Sequence, residues 1–240
     1  MWCVIPVAGG GTRLRQLTDG RPKALVEVGG KSLIRHLLER LDPPFSDVCL
    51  VAGPDSIESF RTLGHRHDDL RLHYAEQSEP EGVADAVGKA AGLVTGPFVA
   101  LMGDCYFEKP LSSFPTRWLR STHDGAVLVE LPDDGRGQPM GLVRVLDRRV
   151  TEIFKAPWAG ETEWRVCGAY LFPESFFAAL DETPRADSGE YELEDVVTRM
   201  MAAGTTFGAI PYHGWRRNIN TPDDLAAVEI RLAGGGDASP

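Results

Sequence analysis

A glycine-rich segment near the N-terminus holds the first residues suited to binding a charged ligand. The apolar run Cys3–Ala8 leads directly into the three glycines Gly9–Gly11, and Arg13 follows shortly after them. Glycines let the backbone approach an anion closely and turn its N–H groups toward it, and a nearby arginine can add a bidentate phosphate contact. Lys23 supplies a second cation ten residues further on. The segment predicts a phosphate-binding loop, with a plain strand-to-helix turn as the alternative.

A carboxylate marks a second place of interest. Gly103 and Asp104 end the most apolar segment of the chain, Pro97–Met102. An acidic side chain at the C-terminal end of a central strand lies at the rim where α/β sheets bind ligands. Mg²⁺ prefers one or two carboxylates together with phosphate oxygens and water. A carboxylate at this position is suited to such a role, the alternative being a helix cap.

Strands and helices alternate along the first half of the chain, and this alternation predicts how the polar residues are positioned. Strands are predicted at Cys3–Ala8, Asp47–Ala52, Leu70–Ala75, Pro97–Met102, Gly125–Leu131, Gly141–Leu146 and Val166–Phe172. Helices are predicted at Ser32–Leu41, Asp55–Leu63, Gly82–Leu93, Ser175–Leu180 and Leu193–Ala203. The order predicts a mostly parallel sheet covered by helices on both faces.

The length, composition and charge of the chain limit the classes of function that it can have. The chain has 240 residues, 42% hydrophobic and 25% charged, enough for one α/β domain with a sizeable core. Its net charge of −10 disfavours a polynucleotide-binding surface but not a small anion site. No apolar run reaches the roughly 20 residues that cross a bilayer, and no basic leader precedes the first strand, so a cytoplasmic location without membrane attachment is expected. The four cysteines form no C-x-x-C pair, which predicts reduced thiols and no zinc site.

The segments Gly9–Leu14 and Pro22–Leu25 together resemble the GGxGTRL…PKxL signature of sugar-1-phosphate nucleotidylyltransferases. The resemblance implies a Rossmann-like three-layer α/β/α nucleotidyltransferase fold with a mixed, mostly parallel central sheet. It also implies that the loop and Arg13 hold a nucleoside triphosphate and that Lys23 contacts phosphate near the reacting centre. Asp104 is then the Mg²⁺ ligand. The catalytic residues expected from the resemblance are Arg13, Lys23 and Asp104.

The resemblance also divides the chain by role. Residues 1–105 would form the nucleotide-binding half and residues 106–232 the acceptor-binding half of a single domain, 1–232. Residues 233–240, rich in glycine, are expected to be a disordered tail.

Gln77 and the segment Gly82–Ala86 resemble the part of the family that reads the edge of the base. A glutamine can both donate and accept hydrogen bonds, as discrimination of a pyrimidine edge requires, so a uridine or thymidine nucleotide is favoured. The expected nucleotide-binding residues are Ala8, Gly9, Gly10, Gly11, Thr12, Gln77 and Gly82.

Three later segments resemble acceptor-binding motifs of the family: Gln138–Gly141, Ile153–Pro157 and Gly189–Asp195. The acceptor-binding residues that they imply are Gly141, Lys155, Glu190 and Glu192, with Lys155 on the acceptor phosphate. Phe154 stands where the family has a glutamate, and Ala156 is inserted before the proline. The identity of the acceptor therefore stays open.

The segment Gly214–Leu225 resembles the W-x-D-[IV]-x-T-P-E-D-L ending of the family. Asn218 stands at the position of the second metal ligand, and Asn220 would lie on the same face of an extended segment. One extra residue between Trp215 and Asn218 leaves the choice between the two asparagines open. The expected metal ligands are Asp104 and Asn218, with Asn220 as the alternative to the latter.

The expected reaction joins an NTP, preferably UTP or dTTP, to a sugar 1-phosphate and releases pyrophosphate, with Mg²⁺ as the cofactor. The NTP and the sugar phosphate are the expected partners, nucleic acid and membranes are not, and a homodimer is compatible with the sequence. Two alternatives stay open. One is a nucleotidyltransferase that uses CTP or another NTP on phosphocholine, a cyclitol phosphate or a phosphonate. The other is an inactive NTP-binding regulator, which the asparagine at residue 218 motivates.

Overall fold

The computed structural model describes residues 1–9, 21–62, 70–131, 139–158 and 162–234 of the chain. The strands in these ranges are β1 (Trp2–Pro6), β2 (Glu27–Val28), β3 (Lys31–Ser32), β4 (Asp47–Ala52), β5 (Arg71–Glu76), β6 (Phe98–Leu101), β7 (Cys105–Phe107), β8 (Gly125–Glu130), β9 (Pro139–Leu146), β10 (Arg149–Pro157), β11 (Glu163–Phe172), β12 (Phe207–Pro211) and β13 (Arg216–Asn218). The α-helices there are α1 (Leu33–Leu38), α2 (Ile57–Arg61), α3 (Val83–Gly88), α4 (Ser113–Trp118), α5 (Phe176–Asp181), α6 (Leu193–Ala202) and α7 (Pro222–Gly234), and Lys23–Leu25 is a short 3₁₀ helix. Within the same ranges, no helix combines the length and apolar character that crossing a membrane would need.

One mixed sheet of nine strands, in the order β5-β4-β1-β6-β11-β8-β12-β10-β9, runs through the molecule. The first four strands in that order are parallel to one another. Parallel strands end at the same edge of a sheet, so the residues that follow β1 and β6 meet there. A Cβ atom at Gly103, after β6, would lie only 2.7 Å from the backbone oxygen of Pro6, at the end of β1. The sheet thus brings the end of β1 beside the turn that holds Asp104.

The second half of the sheet closes on itself. β11 pairs antiparallel with β6, β8 and β9, while β10 pairs antiparallel with β9 and β12. β12 pairs in parallel with β8, which completes a ring of β8, β11, β9, β10 and β12. Only β10 and β11 therefore run against the other strands of this sheet, as the predicted mixed, mostly parallel arrangement requires.

Successive strand residues point to opposite faces, and each face has its own apolar core. The face that contains Ile5 and Leu50 is covered by α1, α2 and α4. The opposite face, with Val4 and Cys49, is covered by α3, α5 and α6. A smaller apolar cluster joins α7 to β7. Helices therefore cover both faces, which confirms the predicted three-layer α/β/α fold. All four cysteines are buried and none forms a disulfide.

The predicted elements are present, but several bounds differ and some strands were not predicted. The helix predicted over Gly82–Leu93 ends at Gly88, and α7 includes residues 233 and 234, which corrects the predicted start of the tail. The strands β2, β3, β7, β10, β12 and β13 and the helix α4 were not predicted. β7 and β13 have only three residues each. In β10 a register shift between Val150 and Glu152 interrupts the alternation that a sequence pattern can detect.

Candidate active site

An ammonium group lies between two oxygen atoms at the C-terminal edge of the sheet. Lys23 Nζ is 2.9 Å from Asp104 Oδ2 and 2.8 Å from Asn220 Oδ1. The lysine side chain is only 12% exposed, whereas that of Asp104 is 35% exposed, so the carboxylate remains open to a ligand. Three segments far apart in sequence converge here: the 3₁₀ helix, the turn between β6 and β7, and the turn that follows β13. The arrangement forms a cation site built from a carboxylate and an amide oxygen.

Backbone and side-chain hydrogen bonds hold Asn220 in this position. The Ile219 N–H donates to the backbone oxygen of Asp104 at 2.8 Å. The buried carboxylate of Asp224 accepts from the backbone N–H groups of Asn220 and Thr221, at 2.9 and 2.8 Å. Burial alone would raise the pKa of Asp224, but these donors and Arg217 hold it below its usual value. Asp224 therefore fixes the turn that presents Asn220 to Lys23.

The side chain of Asn218 is engaged elsewhere. Its Oδ1 atom accepts a hydrogen bond from the guanidinium of Arg216 and lies 3.1 Å from the thiol of Cys105. Arg216 is 4% exposed and also donates to Glu130 Oε1 at 2.8 Å. The amide oxygen of Asn218 thus faces a buried cation, which would repel a metal ion at that atom.

Gln77 lies at the end of β5 and is buried against the start of α3. Its amide nitrogen donates to the backbone oxygen of Gly82 at 3.0 Å and to Asp85 Oδ2 at 2.8 Å. With its nitrogen bound in this way, Gln77 keeps its amide oxygen for a donor on a base edge.

Gly82 joins the segment predicted to read the base to the segment predicted to bind the acceptor. It has φ +110°, and a Cβ atom there would lie 2.6 Å from the backbone N and O of Tyr191. Tyr191 donates to the backbone oxygen of Glu81 at 2.8 Å and accepts from Ala84 N–H at 3.0 Å. The Cβ of Glu190 would be 3.0 Å from a Cβ at Gly82. Gln77, Gly82 and Glu190 therefore form one continuous wall.

The remaining predicted acceptor residues meet on β9, β10 and the start of α6. Lys155 lies directly opposite Gly141 across the β9–β10 pair. Its ammonium forms an ion pair with Glu192 and is 4.0 Å from Glu194 Oε2. Burial lowers the pKa of Lys155, but the three glutamates at 190, 192 and 194 outweigh burial and raise it. Lys155 is thus a charged lysine held against carboxylates that a phosphate could replace.

The glycine-rich segment is only partly within the described residues. Ala8 and Gly9 lie just after β1, beside the turn that holds Asp104, whereas Gly10, Gly11, Thr12 and Arg13 lie outside those residues. In the described part of the chain, no group of three or more His, Cys, Asp or Glu side chains could hold a metal ion. A metal at Asp104 would depend on that carboxylate, an amide oxygen and atoms of a ligand, which is a usual set for Mg²⁺.

Residues 3–231 match the Nucleotidyl transferase family model. The chain belongs to this family. It is therefore a nucleotidyltransferase, as the resemblance implied, and the match spans both halves of the sheet.

Individual relatives agree with the family. The UTP–glucose-1-phosphate uridylyltransferase AglF of Haloferax volcanii is 30% identical over 237 residues, which cover 97% of this chain and 96% of the relative. The bifunctional protein GlmU of Methanococcus maripaludis is 25% identical over 231 residues, 95% of this chain, but the match spans only 53% of GlmU. The structure of a UTP-bound UGPase from Acinetobacter baumannii has a TM-score of 0.83 at 18% identity, covering 98% of this chain and 94% of that one. The last comparison shows a shared nucleotidyltransferase fold.

Sequence reasoning missed several residues of this nucleotidyltransferase site. Arg216 and Asp224 matter through contacts that only the pairing of β13 with β7 and the start of α7 create. Glu194 was not among the predicted site residues, yet its carboxylate lies beside Lys155 and Tyr170. Its place in the motif that contains Glu190 and Glu192 is the signal that could have identified it.

Proposed function

We propose that the enzyme transfers a nucleoside monophosphate from UTP or dTTP to a sugar 1-phosphate, giving an NDP-sugar and pyrophosphate. An oxygen of the acceptor phosphate forms a bond to the α-phosphorus, and the bond from that phosphorus to the pyrophosphate oxygen breaks. The nucleophile is already an anion, so no general base is needed. The observation that carries the proposal is the cation site in which Lys23 Nζ bridges Asp104 and Asn220. Two phosphates can meet only where their repulsion is neutralised.

The donor atoms at this site suit a hard divalent cation. Asp104 Oδ2 and Asn220 Oδ1 already share one cationic partner, the ammonium of Lys23. We assign Asp104 and Asn220, rather than Asn218, as the protein ligands of Mg²⁺. The bound ion would supply positive charge next to the α-phosphate.

The phosphates of the two substrates are bound by Lys23, Lys155 and Arg13. Lys23 leaves its two oxygen partners for the phosphate at the reacting centre, and Arg13 binds the departing pyrophosphate. Lys155 exchanges Glu192 for the acceptor phosphate. This exchange keeps the lysine charged and paired throughout, because a carboxylate and a phosphate are both anions.

The wall formed by Gln77, Gly82 and Glu190 is the basis for the proposed preference for base and sugar. The amide oxygen of Gln77 accepts from the N3–H of uracil or thymine; cytosine has no hydrogen on N3 and could offer only its N4 amino group. Glu190 and Glu192 accept from sugar hydroxyls. The name of the Haloferax relative, UTP–glucose-1-phosphate uridylyltransferase, supports UTP and glucose 1-phosphate as the first pair to test.

The test is pyrophosphate release with a panel of four NTPs and several acceptors, in the presence of Mg²⁺. The panel includes glucose 1-phosphate, N-acetylglucosamine 1-phosphate, phosphocholine and a cyclitol phosphate. Turnover is expected with UTP or dTTP and a sugar 1-phosphate, and none when Mg²⁺ is chelated. Turnover restricted to CTP and a non-sugar phosphate would overturn the proposal. So would NTP binding without turnover on any acceptor.

A further inference from the structure

A buried carboxylate lies next to the acceptor lysine without a role in the function proposed above. Glu194 is the second residue of α6, and its side chain is only 14% exposed. Its Oε1 atom accepts a hydrogen bond from the Tyr170 hydroxyl at 3.3 Å. Its Oε2 atom is 4.0 Å from Lys155 Nζ, beyond hydrogen-bond distance. The backbone N–H of Glu194 itself also contributes a hydrogen bond. The described residues therefore fill only part of the roughly four acceptor positions of an ionised carboxylate.

The absence of a side chain at Gly141 leaves space for the Glu194 carboxylate. Gly141 lies opposite Lys155, and side chains of directly paired residues project from the same face of the sheet. A Cβ atom at Gly141 would lie 3.0 Å from Glu194 Oε1. The space beside Lys155 that any other residue at 141 would fill thus belongs to Glu194.

The burial of Glu194 and the unfilled acceptor positions of its carboxylate both favour a hydrogen-bond donor from a ligand. Burial raises the pKa of the Glu194 carboxyl above its ordinary value, although the charge of Lys155 lowers it. A largely buried carboxylate with few donors is costly, and a further donor that a ligand brings to it is correspondingly favourable. The Glu194 side chain nevertheless keeps 14% of its surface exposed, so it is not sealed from solvent. A ligand group can therefore reach Glu194.

We infer that Glu194 determines the acceptor by accepting a hydrogen bond from the 2-hydroxyl of a sugar 1-phosphate. This inference rests on the proposed function. Lys155 binds the phosphate on C1, and Glu194 lies 4.0 Å from that lysine. The group that reaches Glu194 is therefore the one on the carbon next to C1. A free 2-hydroxyl is a donor that this carboxylate can accept. The substrate class is a sugar 1-phosphate with a free 2-hydroxyl.

The test compares glucose 1-phosphate with 2-deoxyglucose 1-phosphate, which differ only in that hydroxyl. For the native enzyme, kcat/KM should be about tenfold or more higher with glucose 1-phosphate, the effect of one hydrogen bond to a charged group. Glu194→Gln should bring the ratio of the two values toward one and leave the KM for the NTP unchanged. Glu182→Gln, at an exposed glutamate paired with Arg199, is the matched control and should keep the native ratio.

A purely structural role for Glu194 would lower activity with both acceptors equally. An unchanged ratio in a folded Glu194→Gln variant would therefore overturn the inference while leaving the proposed function intact. If that variant unfolds, Glu194→Asp keeps the charge but withdraws the carboxylate by one methylene, and the same fall in the ratio is expected. Absence of turnover by the native enzyme with every sugar 1-phosphate would contradict the proposed function, and the inference with it.

Discussion

The guanidinium of Arg216 donates a hydrogen bond to the amide oxygen of Asn218, the atom that a second metal ligand at this position would need. Arg216 is buried and cannot lose its charge, so that oxygen already has a cationic partner. Two residues later, Asn220 Oδ1 shares Lys23 with Asp104. Asn218 thus has a structural role, whereas Asn220 is the proposed metal ligand.

Substitution of each asparagine distinguishes these roles. Asn220→Ala should raise the Mg²⁺ concentration for half-maximal pyrophosphate release by about 10-fold or more, the scale on which metal-site polar contacts act. Asn218→Ala should leave that concentration nearly unchanged but lower the free energy of unfolding by about 1–3 kcal/mol, because Arg216 loses a buried partner. Magnesium titrations and urea unfolding of both variants provide the check. A shift in Mg²⁺ dependence for Asn218→Ala alone would reverse the assignment.

Gly82 should tolerate no side chain. Gly82→Ala combines a positive φ with contacts of 2.6 Å to the Tyr191 backbone. Gly92 has φ +81° and nothing within 4 Å of an added Cβ, so Gly92→Ala reports the backbone strain alone. That strain is worth about 1–3 kcal/mol. Urea unfolding should show a larger loss for Gly82→Ala than for Gly92→Ala. Equal losses would mean that the Tyr191 segment moves aside without cost.

Lys155 should act on the acceptor and not on the nucleotide. Lys155→Ala should raise the KM for the sugar 1-phosphate by about tenfold or more, the loss of a charged contact, with little change in the KM for the NTP. Lys31→Ala, which removes an exposed lysine paired with Glu39, is the control and should change neither constant. Steady-state kinetics with one substrate varied at a time measures both. Similar increases in the two constants would refute the role.

An ion-pair cluster at the opposite edge of the sheet should make stability depend on pH. Asp47 accepts two hydrogen bonds from Arg71, at 2.7 Å each, and others from His73 and Ser46. Arg71 above all holds the pKa of Asp47 well below its usual value. The folded-state pKa therefore lies below that of the unfolded chain, so this stabilisation is complete above about pH 4 and is lost as the pH falls further.

Asp47→Asn should accordingly lower the Tm at pH 7, and its difference from the native protein should shrink below about pH 4. Asp42→Asn, at an exposed aspartate, is the matched control and should follow the native curve. Thermal unfolding between pH 7 and pH 3 gives the comparison. A constant Tm difference over that range would mean that the Asp47 carboxylate is not specially stabilised.

The sequence predicted the layers of the fold because apolar strands and helices follow one another in a recognisable order. It also predicted roles for Lys23 and Asp104, which the structure brings into contact, since both belong to short local motifs. Asn220 could not be preferred over Asn218, because the difference depends on Arg216, whose contacts arise only when β13 pairs with β7. Glu194 escaped notice for a similar reason: its carboxylate enters the acceptor region through the absence of a side chain at Gly141, on another element.

The most direct test of the account is pyrophosphate release by Asp104→Asn over a range of Mg²⁺ concentrations. The variant keeps the shape of the side chain and can still accept a hydrogen bond from Lys23, but it removes the only carboxylate of the proposed metal site. Turnover should fall by about 10²–10³-fold, the scale of losing one main electrostatic contact in a transition state, without loss of Tm. Native turnover at the native Mg²⁺ requirement would contradict the account.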